Sequence, residues 1–326
     1  MSEKSLQTST GWFHLKKDGL WQKALSIAGL QSDRFPELVE CGDVVGNLLP
    51  NTADFLGLTK GIPIVAGAMD QTAAALAAGC IQSGMVTETT GTALVMAACT
   101  DSPTFSSEHY VTIYRHALSD QYLYLPIGNT GGMSLRWFRD VFCKDLPSGA
   151  DGYNALTALA SQVPCGCDGL VFLPFLAGSV DPDLCPDARA AFFGATLSTT
   201  RAHFVRSIME AVAFLLKDFV GMLEGLGLPV TVIRSLGGGA QSALWEQIKA
   251  DILERPLSVP ICKEASAAGA ALLAGWGTGM ISQHTIPSCG EAAVFTPNAE
   301  HAPAYQAAYN LYHKLYQAVR PLFTKK

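Results

Sequence analysis

The spacing of apolar positions divides the chain into an irregular opening and a regular remainder. Residues 1–20 show neither helical nor strand periodicity. The spacing then predicts a short amphipathic helix over 24–30, extended pieces over 36–40 and 44–48, and a second small helix over 53–58. These pieces are too few to close a core alone. From Ile62 the pattern becomes regular. The continuous apolar run 62–66 predicts a buried strand ending at Gly67, and 70–79 predicts a helix with Asp70 at its start, where the helix dipole favours negative charge. Strands are predicted over 85–90, 93–98, 110–115 and 122–127, before Gly131-Gly132 opens a helix over 134–142. A buried strand over 170–175 and a polar loop to Asp187 lead to a long helix over about 200–226. Strand 230–236 runs straight into Gly237-Gly238-Gly239-Ala240, and helix 242–253, strand 257–261, helix 266–275 and an amphipathic helix over 304–319 complete the series. Antiparallel strands followed by alternating strands and helices predict an α/β unit, a mixed sheet with flanking helices. It occupies about 62–300, with a partial unit before it.

Composition narrows the function classes. Of 326 residues, 49% are hydrophobic and only 15% charged, which excludes a disordered chain and leaves material for a large core. The formal charge is −6 and the Lys and Arg residues are scattered, so neither nucleic acid nor a membrane is an expected partner. Nine cysteines, an odd number in mostly apolar surroundings and with no leader recognised ahead of them, predict reduced thiols in the cytoplasm. Cys165-Gly166-Cys167 lacks the second pair that a zinc site wants, so no metal ligands are assigned. The stretch between Glu264 and Glu291 has no Asp, Glu, Lys or Arg, but five glycines and Pro287 interrupt it. A buried Ala-rich helix followed by a loop is expected there rather than a membrane span.

Chemistry is sought at the strand ends. Gly237-Gly238-Gly239-Ala240, between a strand and a helix, would let backbone amides and a helix N-terminus face a nucleotide. A plain tight turn is equally compatible, and the spacing does not match the GxGxxG dinucleotide fingerprint. Thr89-Thr90-Gly91-Thr92, in a strand-to-strand connection, is either an ordinary hairpin or a phosphate cradle. Asp70 is either a helix-capping residue or a catalytic acid. Three such signals at strand ends of one mixed sheet are more informative together, because ligands collect there.

In order and at fitting distances, the chain carries Gly67-Ala-Met-Asp-Gln-Thr-Ala-Ala-Ala-Leu, Thr89-Thr-Gly-Thr-Ala, Gly132-Met-Ser-Leu-Arg-Trp-Phe-Arg-Asp, Ala190-Ala-Phe-Phe-Gly with His203-Phe-Val-Arg-Ser-Ile-Met-Glu, and Gly237-Gly-Gly-Ala-Gln-Ser-Ala-Leu-Trp-Glu-Gln-Ile-Lys-Ala-Asp. These motifs resemble the FGGY carbohydrate kinases, over essentially the entire chain and with a lean toward the xylulokinase-like branch. The resemblance implies an actin-like ATPase (ribonuclease H-like) lobe and transfer of the γ-phosphate of ATP, with Mg2+, to a hydroxyl of a sugar or polyol. Asp70 corresponds to the catalytic base and Gln71 to a residue beside the sugar. Gly91 and Thr92 correspond to the phosphate loop, Gly132 and Arg136 to the segment near ribose and phosphates, and Gly238, Gly239, Ala240 and Ser242 to the adenosine turn.

Two departures stand out. Gly178-Ser-Val replaces the usual Gly-Glu-Arg, so the conventional surface ion network is expected to be missing there, and Ala243 stands where some relatives carry an asparagine reaching the base. Residues 3–15 resemble the segment that closes the family's first lobe. The expected division is therefore 1–61 as a remnant of the first, sugar-binding lobe and 62–326 as the nucleotide-binding lobe. No Asp-x-Gly-Thr phosphate loop occurs in the sequence. Little kinase activity is expected of the chain alone, with a first lobe supplied in trans or a homo-oligomer as the partner to look for. The competing reading is a non-catalytic nucleotide-binding or interaction module derived from a sugar kinase.

Overall fold

The sequence from Met85 onward assembles one mixed sheet of eight strands, whose members we number in chain order: β1 (Met85–Thr90), β2 (Leu94–Thr100), β3 (Ile113–Arg115), β4 (Tyr122–Tyr124), β5 (Ile127–Gly128), β6 (Val232–Leu236), β7 (Leu257–Pro260) and β8 (Glu291–Phe295). The computed structural model describes residues 1–106, 110–282, 285–286 and 290–323. Across the sheet the order is β8-β7-β6-β1-β2-β4-β3, with β5 also pairing β2. β1, β6 and β7 are mutually parallel neighbours and the remaining pairs are antiparallel.

Period-two alternation along β2 supplies two cores at once. Met96 and Ala98 join the main core, whereas Ala97 and Cys99 face a second cluster with Ala75, Cys80 and Leu123. A sheet buried on both faces needs helices on both. The described helices of this unit are α1 (Asp70–Ala77), α2 (Gly132–Phe142), α3 (Gly149–Ala160), α4 (Arg201–Gly225), α5 (Ala243–Leu253), α6 (Ala265–Gly277) and α7 (Ala302–Val319). α4 is apolar over most of its circumference and buries Val205, Ile208, Met209, Val212, Phe219 and Leu223 between the sheet, α3 and α5. α1 and α6 pair with each other on the opposite face. They approach so closely that a Cβ on Gly269 would lie 2.0 Å from the Ala73 carbonyl oxygen.

Several expectations need correction. The apolar run 62–66 does form a strand, Pro63–Val65, but it pairs with Val44–Asn47 at the surface; Ile62 and Ile64 are exposed, so this strand is not buried. Its apolar character had suggested a core strand, and here the partner strand is itself exposed. No element was expected over α3, whose sequence holds two poor helix formers at Gly149 and Gly152. Gly152 is instead required, since a Cβ there would meet the Pro147 carbonyl oxygen at 2.1 Å. The expected buried strand appears at Val171–Leu173; β8 and the strand Ala191–Phe193, which pairs antiparallel with it, were not anticipated. Pro287 and Cys289 lie outside the described residues. No described helix is long and apolar enough to cross a membrane.

The opening 61 residues form short two-stranded pieces and small helices laid against the unit. An ion cluster ties them down. Lys4 donates to both Asp18 and Glu40, and Arg115, buried at the end of β3, lies 3.2 Å from Asp18 and 3.8 Å from Glu40. Ile27, Leu49 and Phe55 of this segment stand 80%, 69% and 88% exposed.

Two buried titratable groups oppose each other in pH dependence. Burial pushes Asp181 up to about 6, against the pull of the Ile127 amide, which donates to it at 2.8 Å. Burial pushes His116 down to about 4; its Nδ1 accepts from the Leu118 amide, so Nε2 carries the proton and donates to the Cys80 carbonyl at 3.0 Å. The raised Asp181 favours the fold most below its ordinary 3.8, and that contribution is lost as pH rises through about 6. The lowered His116 favours the fold above its ordinary 6.5, and that contribution is lost as pH falls through about 4. Asp181→Asn should therefore leave the His116 slope unopposed. Urea titrations between pH 4 and 6.5 should show the variant's stability climbing more steeply than the wild type's, by ~2 kcal/mol across the interval. Parallel curves would refute the assignment.

Candidate active site

β1, β6 and β7 all end on the same edge of the sheet; β1 runs into Gly91 and β6 into Gly237, both singled out by sequence, and β7 runs into Ile261–Glu264. The crevice outside the carboxyl ends of parallel strands is the place where open α/β sheets bind ligands. At its centre is the β1–β2 hairpin, closed by the Gly91 amide on the Ala93 carbonyl at 3.0 Å.

Two glycine segments close on this hairpin. On one side the Gly131 amide donates to Thr92 O at 2.9 Å and the Gly132 amide to Gly91 O at 2.7 Å. A Cβ on Gly132 would lie 2.7 Å from that same Gly91 oxygen. On the other side Gly237 turns at φ +78°, and a Cβ on Gly239 would fall 2.6 Å from Cβ of Thr90. Side chains at these two glycines would force the segments apart. The Gly237–Ala240 turn also borders a cleft of about 640 Å³, walled by Ala240, Ala243, Ile261, Glu264, Ala293 and Phe295. That volume and the mixture of apolar walls with a few polar groups suit a small-molecule ligand.

The other sequence-selected residues are placed as follows. Asp70 is the first residue of α1 and is exposed; its carboxylate accepts from the Gln71 amide at 2.7 Å. The Asp70 carbonyl accepts the Ser266 hydroxyl at 3.1 Å, which fastens Asp70 to the start of α6, two residues past the cleft-lining Glu264. The preceding Met69 amide donates to the buried Ser5 hydroxyl at 3.0 Å. Gln71 is half-buried beside it. Ser242 caps α5 by accepting the Trp245 amide at 3.3 Å, and its hydroxyl lies 3.4 Å from that of Thr157. Arg136 is exposed on α2 and pairs with Asp140 at 3.6 Å. The structure thus brings Gly91, Thr92, Gly132, Gly238, Gly239 and Ala240 into one neighbourhood, and it ties Asp70 to that neighbourhood only through Ser266 at the start of α6. Arg136 and Ser242 have their side chains committed to their own helices and, for Ser242, to α3.

Sequence reasoning missed Phe295 and Ala293, because no element was assigned to 291–295, and it missed the fastening serines 5 and 266. The signal for β8 was the short apolar run 292–295 between Gly290 and Pro297. Nothing in the local pattern marks a serine as the partner of a backbone amide more than sixty positions away. Among the described residues no group of three or more His, Cys, Asp and Glu side chains could hold a metal ion.

The two-faced mixed sheet presents glycine-lined backbone to a cleft at its strand ends, and its likeness to sugar-kinase structures makes it an α/β lobe of the actin-like ATPase class. Within that class, the chain belongs to the FGGY family of carbohydrate kinases: the family's C-terminal domain matches residues 85–278, and its N-terminal domain matches residues 1–77. The chain is 32% identical to gluconokinase of Bacillus subtilis (strain 168), over 98% of its own length and 64% of the relative's. It is 29% identical to xylulose kinase of the same organism, over 91% of this chain and 59% of the relative. It superposes on the crystal structure of xylulose kinase from Rhodospirillum rubrum with a TM-score of 0.87 at 27% identity, covering 100% of this chain and 65% of that one. The chain therefore spans a little under two thirds of the length of these relatives.

The α1–α6 contact that anchors Asp70 should be intolerant of a single methyl group. Gly269→Ala is expected to cost about 3 kcal/mol, because the Ala73 carbonyl cannot move without shifting α1. A scanning-calorimetry Tm lowered by roughly 5–10 °C would be the corresponding readout, and an unchanged Tm would show the helices to be less tightly apposed.

Proposed function

We propose that this chain forms the nucleotide-binding lobe and supplies the general base of an ATP-dependent carbohydrate kinase, which transfers the γ-phosphate of ATP to a hydroxyl of a sugar or polyol. The observation that carries the reading is the convergence of three glycine-bearing segments on one sheet edge, beside a cleft of about 640 Å³, with Asp70 hydrogen-bonded to Ser266, two residues past the cleft-lining Glu264. Residues 1–61 would then be the closing part of the sugar-binding lobe and 62–326 the nucleotide lobe. A xylulose-like ketose is the favoured acceptor, and gluconate is the other acceptor suggested by the names of the relatives.

The chemistry follows from what each group offers. ATP fits the site because backbone replaces side chains where phosphates must approach: Gly238 faces open space along the cleft, and Gly132 has no room for a Cβ. The apolar walls at Ala243, Ala293 and Phe295 suit the flat base. Mg2+ needs only one or two protein carboxylates when phosphates supply the other oxygens, so it would enter with the nucleotide and neutralise charge on the β- and γ-phosphates. An alcohol is too weak an acid to ionise near neutral pH, so a carboxylate within hydrogen-bond reach must take its proton as the oxygen attacks phosphorus. Asp70 is suited to that task. It is exposed and fixed from three directions, by the Gln71 amide, by Ser266 and through Met69 by Ser5.

The test is a coupled assay of sugar-dependent ADP release over xylulose, gluconate, ribulose and glycerol, with the chain alone and mixed with a separately folded first lobe of a relative. Release is expected with at least one acceptor. Asp70→Asn should lower kcat about 10³-fold or more while calorimetric ATP affinity changes less than about twofold. Nucleotide binding with no turnover under either condition would favour the non-catalytic binding module instead.

A further inference from the structure

Beneath the junction of the glycine segments lies a fully buried charged network that the reaction itself does not use. Glu88 of β1, Glu246 and Lys249 of α5 and Ser235 of β6 are all inaccessible to solvent. Glu88 Oε1 accepts Lys249 Nζ at 2.6 Å and also the Ser235 hydroxyl, while Oε2 accepts the Thr90 hydroxyl at 2.8 Å. Lys249 also donates to Glu246 Oε1 at 2.7 Å. Burial alone would lower the Lys249 pKa, but Glu246 and Glu88 outweigh it and leave the ammonium charged. Well-packed apolar residues would hold such a core at least as stably as a buried ion pair. Stability alone does not account for placing three ionisable side chains there.

The positions of the members suggest what the network does. Thr90 is the last residue of β1, immediately before Gly91, and it is the side chain against which Gly239 packs. Ser235 precedes the Gly237 turn by two residues. Glu246 and Lys249 belong to the helix that follows that turn. One carboxylate therefore fixes the Thr90 rotamer, the end of β6 and α5 simultaneously. The geometry points to Glu88 as a positioning residue for nucleotide polyphosphate: through Thr90 and Lys249 it holds the Gly91-Thr92 hairpin and the Gly237–Ala240 turn at the separation that a phosphate chain spans. This rests on the kinase reading of the same cleft and adds to it residues that touch no ligand.

Such a role predicts selective damage. In the intact chain, Glu88→Gln leaves Lys249 paired with Glu246, and Thr90→Val keeps a branched side chain against Gly239 while removing the hydroxyl. Isothermal titration should show each variant binding ATP·Mg2+ about tenfold more weakly, the worth of a hydrogen bond to a charged group, and adenosine within about twofold of wild type, since the apolar cleft walls are untouched. The double variant should lose no more than the weaker-binding single, because both substitutions cut the same link. Circular dichroism establishes that each variant is folded, and Thr90→Val, which leaves all three charges in place, carries the test should Glu88→Gln fail to fold. Equal losses for ATP and adenosine, additive losses in the double variant, or unchanged ATP affinity in Thr90→Val would each overturn the positioning role. Wild-type chain that binds neither ligand would instead refute the kinase reading beneath it. Wild-type binding with unaffected variants would refute only the role of Glu88.

Discussion

The site depends on a steric constraint: three backbone segments meet at distances that exclude side chains. Gly132 lies against the Gly91 carbonyl and Gly239 against Thr90, so the β1–β2 hairpin is gripped on both sides by glycines. Each contact fixes one segment relative to the next, and the cleft beside them exists because the segments cannot spread. The parallel run of β1, β6 and β7 brings the three chain segments to one edge, and the two-faced core keeps the sheet rigid enough for tenths of an ångström to matter at that edge.

The same logic of close approach governs the placement of Asp70. Asp70 sits on a short helix whose position is set by contact with α6 at Gly269 and by hydrogen bonds from Met69 to Ser5 and from Ser266 to Asp70. Since Glu264, the residue before α6, lines the cleft, Asp70 and that wall of the cleft share one support. Pre-arranged geometry of this kind is what phosphoryl transfer demands, because the protein contributes mainly alignment and electrostatics.

Much of the fold could be read from the sequence where local chemistry and tertiary context agree. β1 matches its expected bounds and the long helix α4 does so within a residue, because their apolar patterns are strong and their burial complete. An error arose where an apolar run served a surface pair, as at Ile62 and Ile64, and α3 went unassigned although its Gly152 is required by a neighbouring carbonyl. At the site, the glycine turns and Asp70 were visible because their motifs are contiguous. The supports were not: Ser5, Ser266 and the Glu88–Lys249 pair act across separations of up to 196 positions, and no periodicity encodes such contacts.

The central pairing of the sheet also bears on how the chain is made. β1 and β2 are joined by a tight hairpin and can form as soon as residue 100 has been synthesised. The other neighbour of β1 is β6, and the contact flanking that pairing, Thr231 with Gly84, spans 147 positions. At typical elongation speeds the interval is roughly ten seconds or more. Throughout it, β1 lacks its β6 neighbour, and Glu88 lacks Lys249 and Ser235. The carboxylate at the middle of β1 is thus left without its final partners until α5 has been made, and the central pairing of the sheet closes only after most of the chain is in hand.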